Sequence, residues 1–204
     1  MRLFYSLRSP FARRVRLALA RSGLKAEDCV IDVFHPTEAF LQANPLGQVP
    51  LLLLPSGAPL ADSSIILEHL EDAGLASIWP PQAYLARRAQ VRQASTLAVG
   101  LMTYTVQSFL ERQKKQPDGA TLSDANEVLT RTLAVLARPS AEVFWGARQD
   151  LTCGGWDVAI ALEYLELREP ALDWKRLDTE GSLAEVLRQA RLVPFFLETS
   201  PPRA

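Results

Sequence analysis

Residues 44–54 read NPLGQVPLLLL, a turn-forming stretch that passes through Val49 and Pro50 into a continuous apolar run. Such a run, closed by the Pro-Ser-Gly of residues 55–57, is typical of a short buried strand. A proline at the start of a strand leaves the backbone groups of the preceding residue unpaired within the sheet, so Val49 can bind an extended peptide as a further strand would. A cis Val49–Pro50 bond would aim those groups outward. A simple turn before a buried strand would give the same pattern, so this stretch alone leaves both interpretations open.

Short strands and helices alternate on both sides of this stretch. A strand, a crossover helix and a second strand favour parallel pairing, whereas two strands joined by a tight glycine turn favour antiparallel pairing. The predicted order is therefore βαβαββα with a mixed sheet. The patterns predict strands at residues 2–5, 29–34, 49–54 and up to residue 60, and helices at residues 10–21, 37–43 and 64–72.

After the Trp-Pro-Pro of residues 79–81 the sequence is helical almost throughout. The predicted fold class is α/β plus all-α: an N-terminal βαβαββα domain at residues 1–76, a linker at residues 77–82 and an all-helical domain at residues 83–204. Helices of the second domain are predicted at residues 83–113, 123–136, 156–168 and 182–192.

The composition excludes several classes of protein. Lys and Arg total 22 against 23 Asp and Glu, so the excess of positive charge that nucleic-acid binding requires is missing. No apolar run approaches the roughly 20 residues of a membrane span, and arginines interrupt the first residues where a signal peptide would be apolar. We therefore expect a cytoplasmic protein. Cys29 and Cys153 are isolated from each other and from histidines at ligand spacing, so no metal site or dithiol centre is expected.

Ser9 and Pro10 open the first predicted helix. Serine is a good N-cap and proline a good first helical residue, so capping alone accounts for the pair. A helix N-terminus nevertheless carries free N–H donors and a partial positive charge, which stabilise a thiolate and lower a thiol pKa. A serine hydroxyl placed there can donate a hydrogen bond to sulfur.

Asp62 and Ser63 stand at the start of the third predicted helix. A cap again explains them. If a ligand binds there, the helix N–H groups and the Ser63 hydroxyl suit a carboxylate, while Asp62 suits an ammonium group.

In this order and spacing, the three features resemble the glutathione site of the glutathione S-transferase superfamily. The segments that carry the resemblance are SPFARRVRLAL (residues 9–19), NPLGQVPLL (44–52), ADSSIILEHLED (61–72), GGWDVAIALEYLELREPALDW (154–174) and LAEVLRQARLVPFFLETSPP (183–202). The resemblance covers nearly the whole chain. It implies that the first domain is thioredoxin-like and binds glutathione, and that the second is a helical bundle.

The resemblance also implies roles for single residues. Ser9 falls where serine-type enzymes keep the hydroxyl that donates to the glutathione sulfur; Tyr5, at the end of a strand, is the second choice and is expected to pack in the core. The SPFA segment overlies the CPYC of glutaredoxins without either cysteine, which disfavours thiol–disulfide exchange. Residues implied to contact glutathione are Ser9, Phe11, His35, Gln48, Val49, Pro50, Asp62 and Ser63. Among these, Pro50 is implied to be a cis proline, Asp62 and Ser63 to bind the γ-glutamyl end, and Gln48 or His35 the glycyl carboxylate.

One position departs from the family pattern. The folding motif of the family begins with a Ser or Thr N-cap three residues before an aspartate, whereas Gly154 stands three residues before Asp157. Because glycine at an N-cap costs only a few tenths of a kcal/mol relative to serine or threonine, we expect Asp157 still to cap the helix by reaching back and the fold to be kept.

The function implied by the resemblance is a homodimeric glutathione transferase that conjugates or exchanges glutathione with a small hydrophobic electrophile, as in detoxification. The alternatives are a non-catalytic binding or regulatory protein of the same fold and a glutathione-dependent reductase. The acceptor site is expected on the helix at residues 83–113, near Met102, Tyr104 and Phe109, although these side chains suit an ordinary core equally well. The arginines at positions 8, 13, 14 and 16 form a basic cluster that is expected to be a solvated helix face rather than an attractor for glutathione.

Overall fold

The computed structural model describes residues 1–138, 143–146 and 150–202. Its contacts divide the chain into two compact units, one made of Met1–Ile78 with Pro194–Ala204 and the other of Trp79–Val193. The sequence pattern predicted residues 83–204 as one helical domain, whereas the last segment of the chain belongs by its contacts to the first unit.

The first unit contains a four-stranded sheet in the order β2-β1-β3-β4. Strand β1 pairs parallel with β2 and antiparallel with β3, and β3 pairs antiparallel with β4. The predicted mixed sheet and the βαβαββα order are therefore confirmed. The strands are β1 (Arg2–Tyr5), β2 (Glu27–Val30), β3 (Leu51–Leu53) and β4 (Pro59–Ala61).

Two strand boundaries differ from the prediction for local reasons. Strand β2 ends at Val30 rather than residue 34, because Asp32 begins a turn in which its carboxylate accepts the Phe34 N–H at 2.9 Å. Strand β3 begins at Leu51, after Pro50. A proline has no N–H to donate to a strand ladder.

Three helices pack on this sheet: α1 (Pro10–Arg21), α2 (Glu38–Ala43) and α3 (Ser63–Asp72). The core of the unit consists of buried residues from strands β1 and β3 and from helices α1 and α3. Their burial stabilises the unit by the hydrophobic effect. The members of this core are Leu3, Tyr5, Ala12, Val15, Leu19, Leu52, Ile66 and Leu70.

The second unit is helical in the residues that the structure describes. Its helices are α4 (Leu85–Arg112), α5 (Gly119–Leu136), α6 (Cys153–Arg168) and α7 (Ser182–Ala190), with short 3₁₀ turns at Gln82–Tyr84 and Trp174–Arg176. A last short helix, α8 (Pro194–Glu198), lies in the first unit. Among the helices described, none is both long enough and apolar enough to cross a membrane.

Helix α6 begins at Cys153, three residues before the predicted start at residue 156, so Gly154 lies inside the helix and not at its N-cap. Thr152 is the N-cap, and its side-chain oxygen accepts the Gly155 N–H at 3.2 Å. A Cβ atom on Gly154 would lie 2.7 Å from the Val91 carbonyl oxygen, so this glycine allows α6 to approach α4. Asp157 accepts the Ser95 hydroxyl of α4 at 2.5 Å.

Candidate functional site

The start of α1 places Ser9 as a helix cap. Its backbone is extended (φ −75°, ψ 119°), and its Oγ accepts the Ala12 N–H at 3.2 Å. Pro10 occupies the first turn, where its missing N–H needs no acceptor. A serine hydroxyl has two lone pairs and one proton. Capping therefore leaves the Ser9 proton available for donation, and the two roles weighed from the sequence are compatible.

Tyr5 lies in the core of the first unit and is only 4% exposed. Burial raises the pKa of its phenol above 10.0; the Arg16 guanidinium, 4.7 Å above the ring, opposes this shift, and the Asp28 carboxylate adds to it. The phenol is thus a packed, neutral group at physiological pH. It is less suited than Ser9 to face a ligand at the start of α1.

The loop before β3 is held by a buried asparagine. The Val49–Pro50 bond is cis, as predicted. Asn44, 2% exposed, donates from Nδ2 to the Gln48 carbonyl at 2.6 Å and accepts the Leu46 N–H at 3.3 Å. No role is predicted for Asn44 from the sequence, although its position before a proline at the end of α2 is a signal for a structured turn.

Val49 itself is half-buried, with Pro50 buried beside it. Throughout the described part of the chain, no backbone or side-chain group hydrogen-bonds to the Val49 N–H or C=O. The Gln48 side chain is exposed. The geometry is therefore open to backbone pairing by an extended ligand.

The start of α3 places Asp62 as the N-cap, with Oδ1 accepting the N–H groups of Ser64 at 2.7 Å and Ile65 at 3.4 Å. The φ of Asp62 is 71°, in the left-handed region that residues other than glycine seldom adopt. Backbone strain of this kind costs about 1–3 kcal/mol and clusters at functional sites. The adjacent Ser63 is buried at 3% exposure.

Arg14 connects α1 to the start of α3. Its Nη1 donates to the Ser63 Oγ at 2.7 Å and to the Ser64 Oγ at 3.2 Å. The prediction of a solvated basic face was wrong for Arg13 and Arg14, which are 4% and 2% exposed. Arg14 lies four residues from the buried Pro10 and Ala18, and this spacing on one helix face was the missed signal.

The remaining predicted residues of the first unit are less enclosed. His35 is largely exposed and lies with Nδ1 2.8 Å from the Asp32 carboxylate. That hydrogen bond, together with the Phe34 N–H, holds the pKa of Asp32 below its usual value. Phe11 is half-buried in the first turn of α1. No group of three His, Cys, Asp or Glu side chains in the described residues is arranged to hold a metal.

Several known proteins are similar to this chain in sequence and in fold. The family profile described as "Glutathione S-transferase, N-terminal domain" matches residues 8–73. A glutathione S-transferase from Methylobacterium radiotolerans, solved in complex with glutathione sulfonate, is 31% identical and superposes with a TM-score of 0.85, covering 100% of this chain and 95% of that one. The chain belongs to the glutathione S-transferase superfamily.

Other relatives in the superfamily span much or all of the chain. The uncharacterized GST-like protein YibF of Escherichia coli (strain K12) is 29% identical over 100% of both chains. A probable glutathione S-transferase of Oryza sativa subsp. japonica is 31% identical over 74% of this chain and 67% of its own length. The glutathione S-transferase structure from Methylobacillus flagellatus, which has glutathione bound, gives a TM-score of 0.86 at 29% identity over 98% and 99% of the two chains.

In the helical unit, the three side chains expected near an acceptor site differ in burial. Met102 is fully buried. Tyr104 and Phe109 are half-buried, and the Arg168 guanidinium lies 3.9 Å above the Phe109 ring. Met102 is therefore a core residue, whereas Tyr104 and Phe109 keep part of their surface accessible.

Proposed function

We propose that this protein is a glutathione transferase in which Ser9 stabilises the glutathione thiolate. The observation that carries the proposal is the hydroxyl at the start of α1, which accepts one N–H as a cap and keeps its proton for a ligand. A thiolate there would also face the positive end of the α1 dipole.

The start of α1, the loop before β3 and the start of α3 would each contact a different part of glutathione. The Ser63 hydroxyl and Asp62 would bind the γ-glutamyl carboxylate and ammonium. The unpaired backbone of Val49, after which Pro50 turns the chain, would pair with the cysteinyl residue. The exposed Gln48 and His35 would meet the glycyl carboxylate, and Phe11 would line the site near Ser9. Hydrogen bonds that join a charged group are the stronger ones, so the glutamyl end is expected to contribute most of the affinity.

Chemistry then follows from the thiolate. The thiol proton passes to solvent and a sulfur lone pair forms a bond to an electrophilic carbon. In a substitution the leaving group departs with its electron pair, whereas in addition to an enone that pair moves onto the enone and is protonated by solvent. The helical domain that follows the linker proposed at residues 77–82 would supply the surface for the hydrophobic electrophile. A reductase mechanism through a protein cysteine lacks a nucleophile at position 9, where the chain has serine.

The test is binding followed by an activity screen. Isothermal calorimetry should detect glutathione with the free protein at up to millimolar ligand, and a panel of aryl halides, epoxides and enones should reveal conjugation as loss of free thiol. Absence of heat and of competition at millimolar glutathione would refute the proposal. Binding without turnover on every electrophile class would favour the non-catalytic alternative.

We also propose that the protein acts as a homodimer in the cytoplasm and serves in detoxification. Closed twofold assembly is the commonest oligomeric state of soluble proteins, and pairing of the first domain with the second across a twofold axis is implied by the resemblance. Light scattering should report twice the chain mass of 22.6 kDa. A particle of single-chain mass over a wide concentration range would contradict the dimer.

A further inference from the structure

Arg14 is buried at the junction of α1 and α3, and the proposed function assigns it no role. It is 2% exposed, with Nη1 2.7 Å from the Ser63 Oγ and 3.2 Å from the Ser64 Oγ. Ser63, 3% exposed, is itself one of the two residues proposed to hold the γ-glutamyl end of glutathione.

The direction of the Arg14–Ser63 hydrogen bond is fixed by chemistry. A guanidinium has only donors, so the Ser63 oxygen must accept. The hydroxyl proton of Ser63 cannot point toward Arg14, and within the described residues no acceptor receives it. A buried donor without an acceptor is unfavourable. The position is therefore prepared for an acceptor that comes from a ligand.

We propose that Arg14 is a positioning residue that occupies one lone pair of the Ser63 hydroxyl, directs its proton away from the guanidinium and toward the ligand, and so makes the start of α3 select a ligand with a carboxylate. This inference rests on the proposed function, since the carboxylate in question is the α-carboxylate of the γ-glutamyl residue. A carboxylate that accepts from Ser63 would lie about 5 Å from the guanidinium, the length of two hydrogen bonds in series. At that distance the cation also attracts it directly.

The experiment compares glutathione with an analogue that lacks only this carboxylate, 4-aminobutyryl-cysteinyl-glycine. Both are titrated by calorimetry into the wild type, Ser63→Ala, Arg14→Met, the double variant and Arg13→Met. Arg13 is the matched control because it is a buried arginine on the same helix whose hydrogen bonds go to Phe196, Thr199 and Ser200.

The wild type should prefer glutathione to the analogue by about 10- to 100-fold, the effect of one hydrogen bond to a charged group. Arg14→Met and Ser63→Ala should each lower this preference by about tenfold, and the double variant should lose no more than either single variant, because the two residues act as one unit. Arg13→Met should keep the wild-type preference. The pKa of the bound thiol should not change in Arg14→Met, which separates this role from that of Ser9.

Each unfavourable result has a distinct meaning. If Arg14→Met keeps the wild-type preference, the role of Arg14 is wrong while the glutathione site stands. If the wild type binds glutathione and the analogue equally, the carboxylate is not read at Ser63 and the inference also fails. If the wild type does not bind glutathione, the proposed function fails and takes this role with it.

Loss of a buried guanidinium can prevent folding, so a second measurement uses the wild-type protein alone. The side-chain Nε–Hε resonance of Arg14, assigned through the backbone by heteronuclear NMR, should shift on saturation with glutathione and move much less with the analogue. A resonance that responds equally to both ligands would overturn the proposal without any variant.

Discussion

The Arg13 guanidinium donates a 3.0 Å hydrogen bond to the carbonyl oxygen of Phe196, 183 positions further along the chain, and lies 4.1 Å above the Phe196 ring. The same guanidinium donates to the Ser200 hydroxyl at 2.9 Å, and Arg16 donates to the Thr199 carbonyl at 3.2 Å. Phe196 is fully buried. The last segment of the chain is therefore part of the packing around α1, the helix that begins at the proposed thiol site.

The first prediction concerns the stability of this contact. Phe196→Ala should lower the free energy of unfolding by about 3–5 kcal/mol, the usual cost of removing a buried aromatic side chain. The neighbouring Leu197 is 54% exposed, so Leu197→Ala should change the same quantity by no more than about 0.5 kcal/mol. Urea unfolding measures both. Equal effects of the two substitutions would mean that α8 contributes little to the fold.

The burial of Arg13 and Arg14 shows what local sequence patterns do not predict. The order of the elements follows from local periodicity and turn residues. Around residues 44–54 these signals predicted a turn followed by a short buried strand, and strand β3 lies there. An arginine is usually exposed unless paired, and the groups that accept hydrogen bonds from Arg13 include a carbonyl near the opposite end of the chain. Local patterns do not indicate such an acceptor. The start of α6 was predicted too late for a related reason. A glycine at position 154 is required by the close approach of Val91 from α4, and this contact cannot be seen in the local sequence.

The second prediction concerns Asn44, which holds the loop before β3 through the Gln48 carbonyl and the Leu46 N–H. Asn44→Ala leaves these partly buried backbone groups without their side-chain acceptor and donor, so the free energy of unfolding should fall by about 1 kcal/mol. Glutathione affinity should fall as well, while the pKa of the bound thiol stays unchanged. Gln42→Ala, which removes an exposed amide from α2, is the control. If Asn44→Ala binds glutathione as tightly as this control does, the loop does not need Asn44 for its conformation.

The third prediction is a pH dependence in α7. Glu185 accepts two hydrogen bonds of 2.7 Å from Arg188 and one of 2.9 Å from Gln189, and these lower its pKa from 4.5 to about 2. A carboxyl whose pKa is lower in the folded state stabilises the fold above its unfolded pKa, and the contribution is lost as the pH falls toward the folded value.

Glu185→Gln should therefore lower the free energy of unfolding at pH 7 and have a smaller effect at pH 3. The difference at pH 7 should be no more than about 1 kcal/mol, since the side chain is partly exposed to solvent. Glu180→Gln removes the same charge from an exposed position and serves as the control. Urea unfolding at the two pH values measures the change. An effect of Glu185→Gln that grows as the pH falls would contradict the sign of the lowered pKa.

The fourth prediction concerns Tyr5, the second choice for thiol activation. Its phenol is buried in the core and has a raised pKa. Tyr5→Phe removes only the phenol hydroxyl and should leave the pKa of bound glutathione unchanged. The measurement is the thiolate absorbance of bound glutathione against pH. A rise of one unit in this variant would transfer the catalytic role from Ser9 to Tyr5.

The last prediction concerns Ser9, and it uses the fact that capping and donation can be separated. Ser9→Ala removes the cap and the donor together. It should lower the free energy of unfolding by about 1 kcal/mol and remove one hydrogen bond to a charged sulfur, worth about 1.5–3 kcal/mol. Each pKa unit corresponds to about 1.4 kcal/mol. The pKa of the bound thiol should therefore rise by about one to two units, with a smaller change in glutathione affinity because Val49 and Ser63 remain.

Ser9→Gly supplies the matched control. Glycine at an N-cap costs only a few tenths of a kcal/mol relative to serine, and it offers no hydroxyl to the sulfur. The two variants should therefore differ in unfolding free energy but show the same raised thiol pKa, whereas Ser9→Thr should retain both properties of the wild type. Thiolate absorbance of bound glutathione, titrated against pH beside urea unfolding of each variant, measures both quantities. Titration curves that superimpose on the wild type in both Ser9→Ala and Ser9→Gly would remove the hydroxyl from the mechanism and leave the α1 dipole as the source of thiolate stabilisation.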